Sequence, residues 1–316
     1  MAAENGRQRE RDPVLRRRAE FDPATVRPWV RAEPLTADAE SAWAPAEAVL
    51  CPWVDPGGPR RIFVGSSNGL AAGPDLETAT ESALRELVER DAFVWTWVQR
   101  LSRELIDPAS LPGDLWEGVE ALAGLGFETA FVNLTLETHP VILCVVHAPG
   151  TMTVGAGCAA DPARAARSAL DEAAVTRLGI PSRDQPPARE DVLIPADHEA
   201  LYRAGDAAAE AAFLLAGPET VELAEVAGAG GPLLESVRAL DGVGEPLRVD
   251  LTTPRTAPFS VVRVIAPGLI PISFGYDGEP LGMSRLARPR RTADGRLVGA
   301  EIDLDRAGPL VPHPFA

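Results

Sequence analysis

Four polar side chains recur at helical spacing within residues 66–100, and their types suit phosphate and cation chemistry. Ser82, Glu86, Glu89 and Arg90 follow one another at intervals of four, three and one residues. At about 100° of rotation per residue they cover an arc of about 100° on one face of a helix. Two carboxylates, a hydroxyl and a guanidinium that share one face form a candidate site for cations and phosphates.

Most other positions of this helix are apolar, so we expect the helix to be largely buried. A buried ion costs several kcal/mol unless it is paired or bound to a ligand. Glu86, Glu89 and Arg90 are therefore expected to have partners. Two explanations stay open on spacing alone: a ligand site, or an arginine that simply neutralises one of the carboxylates.

The helix is predicted to begin near Pro74 or Asp75, directly after a Gly-rich loop. Proline is tolerated in the first helical turn, and acidic residues suit the positive end of the helix dipole. The loop, Ser66–Gly73, follows a short β-type run. This loop and helix are the elements that must position the polar face.

A second helix has clearer sequence boundaries. Asp161 is a typical N-cap residue, Pro162 suits the first turn, and Gly179 stands past the end. Glu172 and Val175 share one face of this helix. Composition alone indicates an amphipathic surface helix.

The remaining elements are predicted from apolar runs, alternation and Pro or Gly punctuation. Two strands, joined at Thr138-His139-Pro140, are expected at 127–137 and 141–147. An Ala-rich helical stretch is expected to follow Asp197-His198 as far as residue 215, with further helical material to about 240. Other strands are expected at residues 48–51, 61–64, 153–158, 247–251, 260–266 and 270–274.

Charge and composition exclude several function classes. The 316 residues carry a formal net charge of -16, which would repel nucleic acids and anionic membranes. No apolar run reaches the about 18 residues of a membrane helix, and no secretory signal is recognisable. Three separated cysteines indicate no disulfide framework and fit a reducing cytoplasm, and four scattered histidines match no transition-metal pattern.

The two ends of the chain differ from the middle. Residues 1–20 are Arg-rich with little to bury, so we expect a polar, solvated tail or a basic docking arm. Residues 308–316, GPLVPHPFA, are too Pro-rich for a helix or a central strand. They could be unstructured. A Pro-restricted segment also loses less entropy on docking, so it is suited to reaching into a site.

Several motifs together resemble the YcaO family, and the resemblance covers about residues 22–316. SNGLAAG at Ser67–Gly73 followed by ExxERDA at Glu86–Ala92 is similar to the second characteristic block of that family. The further matches, in family order, are residues 154–177, Asp197-His198 with Leu201-Tyr202, DLTTP at 250–254, residues 261–272 and Pro312-His313-Pro314-Phe315.

The resemblance implies a fold and an activity. The implied fold is α+β, with mixed and antiparallel sheets, packed helices and no phosphate-loop motif. The implied reaction uses ATP to activate peptide amide oxygens, so that a Cys, Ser or Thr side chain cyclises to a thiazoline or oxazoline. ATP and Mg²⁺ are the implied cofactors, since hard cations prefer oxygen ligands and neutralise the triphosphate.

The resemblance also assigns roles to residues. Glu86 and Glu89 match magnesium-binding positions, and Arg90 matches a phosphate-contacting arginine. Ser82 belongs to the same nucleotide-binding block, and Glu172 matches the glutamate of the later helix. The C-terminal Pro312, Pro314 and Phe315 match a tail with a catalytic role. The named site residues are thus Ser82, Glu86, Glu89, Arg90, Glu172, Pro312, Pro314 and Phe315.

Three departures from the family pattern shape the expectations. The family has an earlier SxxxExxER helix with a Gly-Lys-Gly element, which supplies the first half of the nucleotide site. Here only about 20 residues precede the matching segment. The chain therefore resembles a YcaO-like domain at 21–316 without that first half-site. Val175 stands where Gln is expected, which removes a polar contact. The chain ends PHPFA, where a final Pro is the azoline-forming pattern.

Three functions are weighed on this basis. The leading one is an ATP-dependent cyclodehydratase that acts on a precursor peptide delivered by a leader-binding winged-helix partner protein, with a homodimer left open. The second is a degenerate accessory or scaffold subunit without ATPase activity. The third is a thioamide-forming or macroamidine-forming member, against which the PHPF sequence argues.

Overall fold

The computed structural model describes residues 21–53, 58, 62–63, 66–179, 186–204, 206–276, 278, 280–304 and 310–315. The predicted polar tail at 1–20 lies outside these described residues, as do residues 61 and 64 of the predicted strand at 61–64. In the described part of the chain, no helix is long and apolar enough to cross a membrane.

The described residues form twelve strands and eight α-helices in an α+β arrangement, as predicted. The strands are β1 Trp29–Pro34, β2 Ala42–Pro45, β3 Leu70–Gly73, β4 Leu105–Ile106, β5 Glu128–Asn133, β6 Val141–Ala148, β7 Thr151–Cys158, β8 Thr220–Val221, β9 Leu247–Asp250, β10 Ser260–Ile265, β11 Arg290–Arg291 and β12 Leu297–Val298. The helices are α1 Ala46–Val49, α2 Leu76–Val98, α3 Gly113–Gly124, α4 Pro162–Gly179, α5 Pro195–Arg203, α6 Ala207–Glu210, α7 Leu233–Arg238 and α8 Ser284–Ala287. Four short 3₁₀ helices in the described chain are Pro108–Ser110, Arg189–Asp191, Ala212–Leu215 and Leu223–Glu225.

The chain divides into two compact units, residues 1–84 with 244–267 and residues 85–243 with 268–316. The first unit contains an antiparallel sheet in the order β2-β1-β9-β10-β3. Its small core is formed by Ala32, Ala44, Val49 and Val249. The prediction of a single domain over residues 21–316 stays a prediction.

In the first unit, Arg263 on β10 holds the Gly-rich loop that precedes α2. Its guanidinium donates to the backbone oxygens of Ser66, Asn68 and Ala48, at 2.7, 2.5 and 2.9 Å. Arg263 is 2% exposed. A buried guanidinium thus satisfies three carbonyls of irregular backbone at once, which fixes the loop.

The second unit contains a sheet in the order β7-β6-β5-β4-β8, antiparallel except for the β4–β8 pair. The predicted hairpin is confirmed, because β5 and β6 pair from Asn133↔Ile142 to Glu128↔His147. One core of this unit combines apolar side chains of β6 with small side chains of α4. Alanines at 165, 166, 169 and 173 let the helix lie close to the sheet.

Two glycines of β7 make the contact with α4 unusually close. A Cβ added at Gly155 would lie 2.5 Å from the carbonyl oxygen of Ala169, and one at Gly157 would lie 2.9 Å from the Cβ of Ser168. Real Cβ atoms do not approach other atoms so closely. The helix therefore rests directly on the strand backbone, and its position relative to β7 is fixed.

A buried ion-pair network in the second unit holds α2. Asp91 accepts hydrogen bonds from the backbone N–H of Ile270 at 2.9 Å, from Arg290 Nη1 at 2.6 Å and from Arg285 Nη2 at 3.3 Å. Arg290 also pairs with Glu137 at 2.8 Å. The carboxylate and both guanidinium groups are almost fully buried. Such a network fixes the rotation of the helix, because breaking it would leave a buried charge uncompensated.

Three sequence predictions of secondary structure are wrong. Residues 48–51 are not a strand, because Ala46–Val49 closes a helical turn in which Glu47 pairs with Arg27. Residues 270–274 are not a strand either. Their backbone is bonded by side chains instead of a neighbouring strand: Asp91 accepts from Ile270, and the Ser273 carbonyl contacts His313 Nε2.

The third wrong prediction is the long helical region after residue 197. Helix α5 ends at Arg203, and α6, two 3₁₀ turns, β8 and α7 follow as separate short elements. Gly217-Pro218 and Gly230-Gly231-Pro232 interrupt the stretch, and Gly231 adopts a positive φ of 86° that a helix cannot contain.

We expect Gly155→Ala to lower the free energy of unfolding by about 2 kcal/mol, because overpacking a close contact forces backbone shifts. Gly124→Ala is the matched control, since a Cβ added there meets no described atom within 4 Å. Urea denaturation of both variants measures the difference. Equal stability of Gly155→Ala and the wild type would contradict the close packing of α4 on β7.

Candidate functional site

Helix α2 begins as the sequence predicts. Asp75 accepts a hydrogen bond from the backbone N–H of Thr78 at 2.7 Å, which caps the helix. This bond lowers the pKa of Asp75 below its ordinary value. Gly73 lies against the first turn, where a Cβ would be 2.7 Å from the backbone nitrogen of Ala79. The start of α2 is thereby set by a cap and a close contact.

The structure brings four predicted site residues together in the second unit. Glu86 and Arg90 on α2 form an ion pair with Nη2 and Oε1 2.5 Å apart. Glu89 lies within electrostatic reach of Glu86, Arg90 and Glu172, and Glu172 comes from α4. We call these residues, Glu86, Glu89, Arg90 and Glu172, the carboxylate cluster. It holds three carboxylates and one guanidinium.

The carboxylate cluster is partly buried and holds more negative than positive charge. Burial raises the pKa of Glu89 well above its ordinary value, and the nearby Glu172 and Glu86 raise it further while Arg90 lowers it. Burial also raises the pKa of Glu172, against the lowering effects of a backbone hydrogen bond and of Arg90. Ionised carboxylates in this arrangement repel one another, so a bound cation would relieve the repulsion.

Glu172 is held by the sheet on which its helix rests. Its Oε2 accepts a hydrogen bond from the backbone N–H of Ala156 at 2.8 Å. Ala156 lies on β7 between Gly155 and Gly157, the two glycines that let α4 approach. The close packing of α4 on β7 therefore brings the Glu172 carboxylate within hydrogen-bond distance of the Ala156 N–H group.

Sequence reasoning did not identify two neighbours of the carboxylate cluster. Burial raises the pKa of the Cys158 thiol, Glu89 raises it further and Arg85 lowers it, which places both charged groups close to the sulfur. Cys158 ends β7 and is 7% exposed. The only sequence signal for Arg85 was its position one residue before Glu86, and Cys158 gave none because its proximity depends on packing.

Two further residues singled out in the sequence lie on the same two helices, α2 and α4. Ser82 precedes Glu86 by one turn of α2 and is half-buried, and its nucleotide-binding role stays a prediction. Val175, where the family pattern has Gln, is 70% exposed on α4. The cysteines at 51, 144 and 158 are free thiols.

The donor set of the carboxylate cluster fits a hard divalent cation, because carboxylate oxygens are the ligands that Mg²⁺ prefers. Glu86 and Glu89 could hold such an ion, and Arg90 could meet a phosphate group. Among the described residues, no group of three or more His, Cys, Asp or Glu side chains is arranged to hold a metal by itself. Further ligands would therefore come from water or from a bound phosphate, as is usual for Mg²⁺.

The Pro-rich segment 310–315 is packed rather than extended into solvent. Pro312 and Pro314 are buried, and Phe315 is 3% exposed. The ring of Phe315 lies 5.0 Å from that of Phe93. Phe93 follows Glu89 by one turn of α2, so the segment reaches the helix that carries the carboxylate cluster. Residues 308, 309 and 316 of the predicted tail lie outside the described residues.

Comparison with known proteins gives one family and one fold. The family model of YcaO cyclodehydratase, which binds ATP and Mg²⁺, matches residues 3–270. An uncharacterized protein of Methanothermobacter thermautotrophicus is 31% identical over 270 residues, which are 80% of this chain and 68% of that protein.

Two solved structures have a similar fold. The YcaO protein of Methanopyrus kandleri bound with AMPPCP and Mg²⁺ has a TM-score of 0.60 at 24% identity, over 79% of this chain and 68% of its own. A heterocyclase in complex with substrate and cofactor has a TM-score of 0.67 at 21% identity, over 95% of this chain. This chain spans 41% of the heterocyclase chain.

We expect Glu89→Gln to stabilise the ligand-free protein by about 1–2 kcal/mol at pH 8, because it removes a buried charge beside two other carboxylates. A carboxyl whose pKa is raised on folding contributes stability below its ordinary pKa, and that contribution is lost as the pH rises through the raised value. The advantage of Glu89→Gln should therefore shrink toward pH 4.5.

Chemical denaturation between pH 4.5 and pH 8 without Mg²⁺ checks this expectation. Glu120→Gln, on the exposed side of α3, serves as the control and should leave stability within about 0.5 kcal/mol of the wild type. A Glu89→Gln protein that is less stable than the wild type at pH 8 would show that Glu89 is instead a well-paired structural ion.

Proposed function

The chain belongs to the YcaO family, whose cofactors are ATP and Mg²⁺, and on that premise we propose that it is a cyclodehydratase that forms thiazoline or oxazoline rings. The substrate would be a Cys, Ser or Thr residue of a ribosomally made precursor peptide. One observation carries the proposal. The carboxylate cluster is partly buried with excess negative charge, and the Pro-rich segment packs against the same helix one turn away.

The proposed reaction begins when the side-chain thiol or hydroxyl adds to the preceding amide carbonyl. Bound ATP with Mg²⁺ supplies the phosphoryl group that turns the former amide oxygen into a leaving group. Loss of phosphate then closes the C=N bond of the ring, and ADP and phosphate are released. The protein must hold the triphosphate, neutralise its charge and place the amide beside it.

The residues of the carboxylate cluster divide these tasks. Glu86 and Glu89 would hold Mg²⁺ through their carboxylate oxygens, and Glu172 would add negative charge beside them at the nucleotide site. Arg90 pairs with Glu86 in this structure. With nucleotide bound, its guanidinium would donate hydrogen bonds to a phosphate. Cation binding would also favour the ionised form of Glu89, because metal ligands must be deprotonated.

Segment 310–315 is proposed to reach the reacting amide. Pro312, Pro314 and Phe315 would shape and exclude water from the place where the ring closes. The burial of all three residues, and the contact of the Phe315 ring with Phe93, support this role. Proline contributes a carbonyl but no N–H donor, so such a segment can be buried with few polar groups left to satisfy.

The proposal includes partners and a location. The substrate would be delivered by a leader-binding winged-helix protein, and two copies of this chain could act together as a homodimer. A cytoplasmic location is part of the same proposal, in line with the free thiols.

A second candidate function is that of an accessory subunit whose nucleotide site is completed by another chain. One observation favours it: Arg90 pairs with Glu86 and so neutralises one of the two proposed cation ligands. Calorimetric titration of the isolated chain with ATP and Mg²⁺ separates the two candidates. Binding heat supports the enzyme, and no heat at millimolar ATP supports the accessory subunit.

We expect Glu89→Gln to lower peptide-dependent ADP release at least about 100-fold, because it removes a cation ligand and its charge. Together with the gain in stability expected above, the variant should be folded but inactive. Steady-state ADP release with precursor peptide and partner protein measures this, with Glu120→Gln as the active control. Unchanged turnover of Glu89→Gln would exclude the carboxylate cluster as the nucleotide site.

Deletion of residues 312–316 should lower the rate of cyclisation about 100-fold, since small misplacements at a reacting centre have effects of that size. Binding of ATP with Mg²⁺ should change less than about threefold, because the cluster residues lie on α2 and α4. Mass-spectrometric detection of water loss from the peptide and calorimetry provide the two measurements. Equal loss of both activities would indicate misfolding and contradict a separate role for the segment.

A further inference from the structure

Three consecutive backbone carbonyls of segment 310–315 each accept a hydrogen bond from a different buried aromatic side chain. Trp97 Nε1 donates to the carbonyl of Val311 at 3.1 Å, and Tyr202 Oη donates to that of Pro312 at 2.7 Å. His198 Nδ1 lies 2.8 Å from the carbonyl oxygen of His313. The three donors come from α2 and α5.

The hydrogen bonding of His198 determines which ring nitrogen carries the proton. Its Nε2 accepts the backbone N–H of Gly275 at 2.8 Å, so Nδ1 must carry the hydrogen that it donates to His313. Asp197 fixes the start of α5 by accepting the backbone N–H groups of Leu193 and Ile194 at 3.1 and 3.2 Å. The ring of His198 is thus oriented from both sides.

The ring of His313 fixes the register of the segment. Its Nε2 lies 2.8 Å from the carbonyl oxygen of Ser273, and its ring meets Phe93 edge-on at 5.7 Å. Burial and the neighbouring His198 hold the pKa of His313 well below its ordinary value, so the ring is a neutral donor at Nε2. A shift of the segment by one residue would place a proline at this position and lose the bond to Ser273.

We propose that Trp97, His198 and Tyr202 form a main-chain clamp that positions segment 310–315 beside α2. The clamp holds the backbone of the segment, and His313 sets its register. As a result, Phe315 is fixed against Phe93, one turn from Glu89. The catalytic consequence of the clamp rests on the proposed function, whereas the clamp itself is a property of the fold.

The clamp also accounts for the Asp197-His198 and Leu201-Tyr202 pairs noted in the sequence. Asp197 orients α5, and His198 and Tyr202 follow at spacings that place both donors on the side facing the segment. His198 is 1% exposed and Tyr202 is 0% exposed. These residues act through the segment, so they are positioning residues and not catalytic ones.

Hydrogen exchange of the full-length protein tests the clamp without any assay of activity. Tyr202→Phe removes only the hydroxyl, so peptides that cover residues 310–316 should exchange about fivefold faster, as expected for one lost hydrogen bond. Peptides from β6 should keep their wild-type rates. Tyr276→Phe, the matched control in the same unit, should change neither region.

Two substitutions of His198 separate the contribution of its Nδ1–H donor from that of the size of its ring. His198→Asn keeps an N–H group near the position of Nδ1, whereas His198→Gln places its amide near the position of Nε2 and leaves no donor near Nδ1. We expect the Gln variant to release the segment and the Asn variant to retain more protection. Equal exchange of residues 310–316 in the two His198 variants would overturn the clamp. An unchanged exchange rate of this segment in Tyr202→Phe, or an equal acceleration of exchange in the β6 peptides, would overturn it as well.

A kinetic measurement tests the positioning role. Tyr202→Phe should lower kcat for cyclisation about tenfold and leave KM for ATP unchanged, because a looser segment misplaces groups without touching the nucleotide. Faster exchange with an unchanged kcat would overturn the positioning role. A wild-type protein without peptide-dependent ADP release would refute the proposed function instead, and the exchange experiment would still decide the clamp.

Discussion

The rotation of α2 depends on one buried carboxylate, that of Asp91. Successive helical side chains point about 100° apart, so a helix that directs Asp91 toward Arg285 and Arg290 must direct Glu89 to the far side. Turning the helix would leave two buried guanidinium groups unpaired, which is costly. The network of Asp91, Arg285 and Arg290 therefore sets the orientation of the carboxylate cluster, although no residue of the cluster belongs to that network.

Helix α2 takes part in two charged groups of residues that differ in charge balance: the network around Asp91 is neutralised, whereas the carboxylate cluster is not. Asp91 is matched by two arginines and a backbone N–H group, and the resulting structure is rigid. Glu89 shares one arginine with two other carboxylates, and burial makes that shortage more severe. Functional sites commonly retain such local conflict because a ligand resolves it. The balanced network stabilises the helix so that the unbalanced cluster can persist.

Local signals predicted the elements that begin with strong caps or alternate strictly. Asp75 and Asp161 marked the starts of α2 and α4 because capping involves only a few neighbouring residues. Residues 270–274 were mistaken for a strand because their hydrogen-bond partners, including Asp91, are distant in sequence. The polar face of α2 was likewise visible from spacing. The support of Glu172 by Ala156 was not, since it depends on how α4 packs on β7.

Recognition through backbone carbonyls has an evolutionary consequence for segment 310–315. Every residue type carries a carbonyl, so Trp97 and Tyr202 impose no direct selection on the side chains of Val311 and Pro312. Mutational drift in the segment should therefore be freer at Val311, whose side chain has no proposed role, than at the donors or at His313. Natural variants of the segment can thus differ in sequence while the main chain follows the same path.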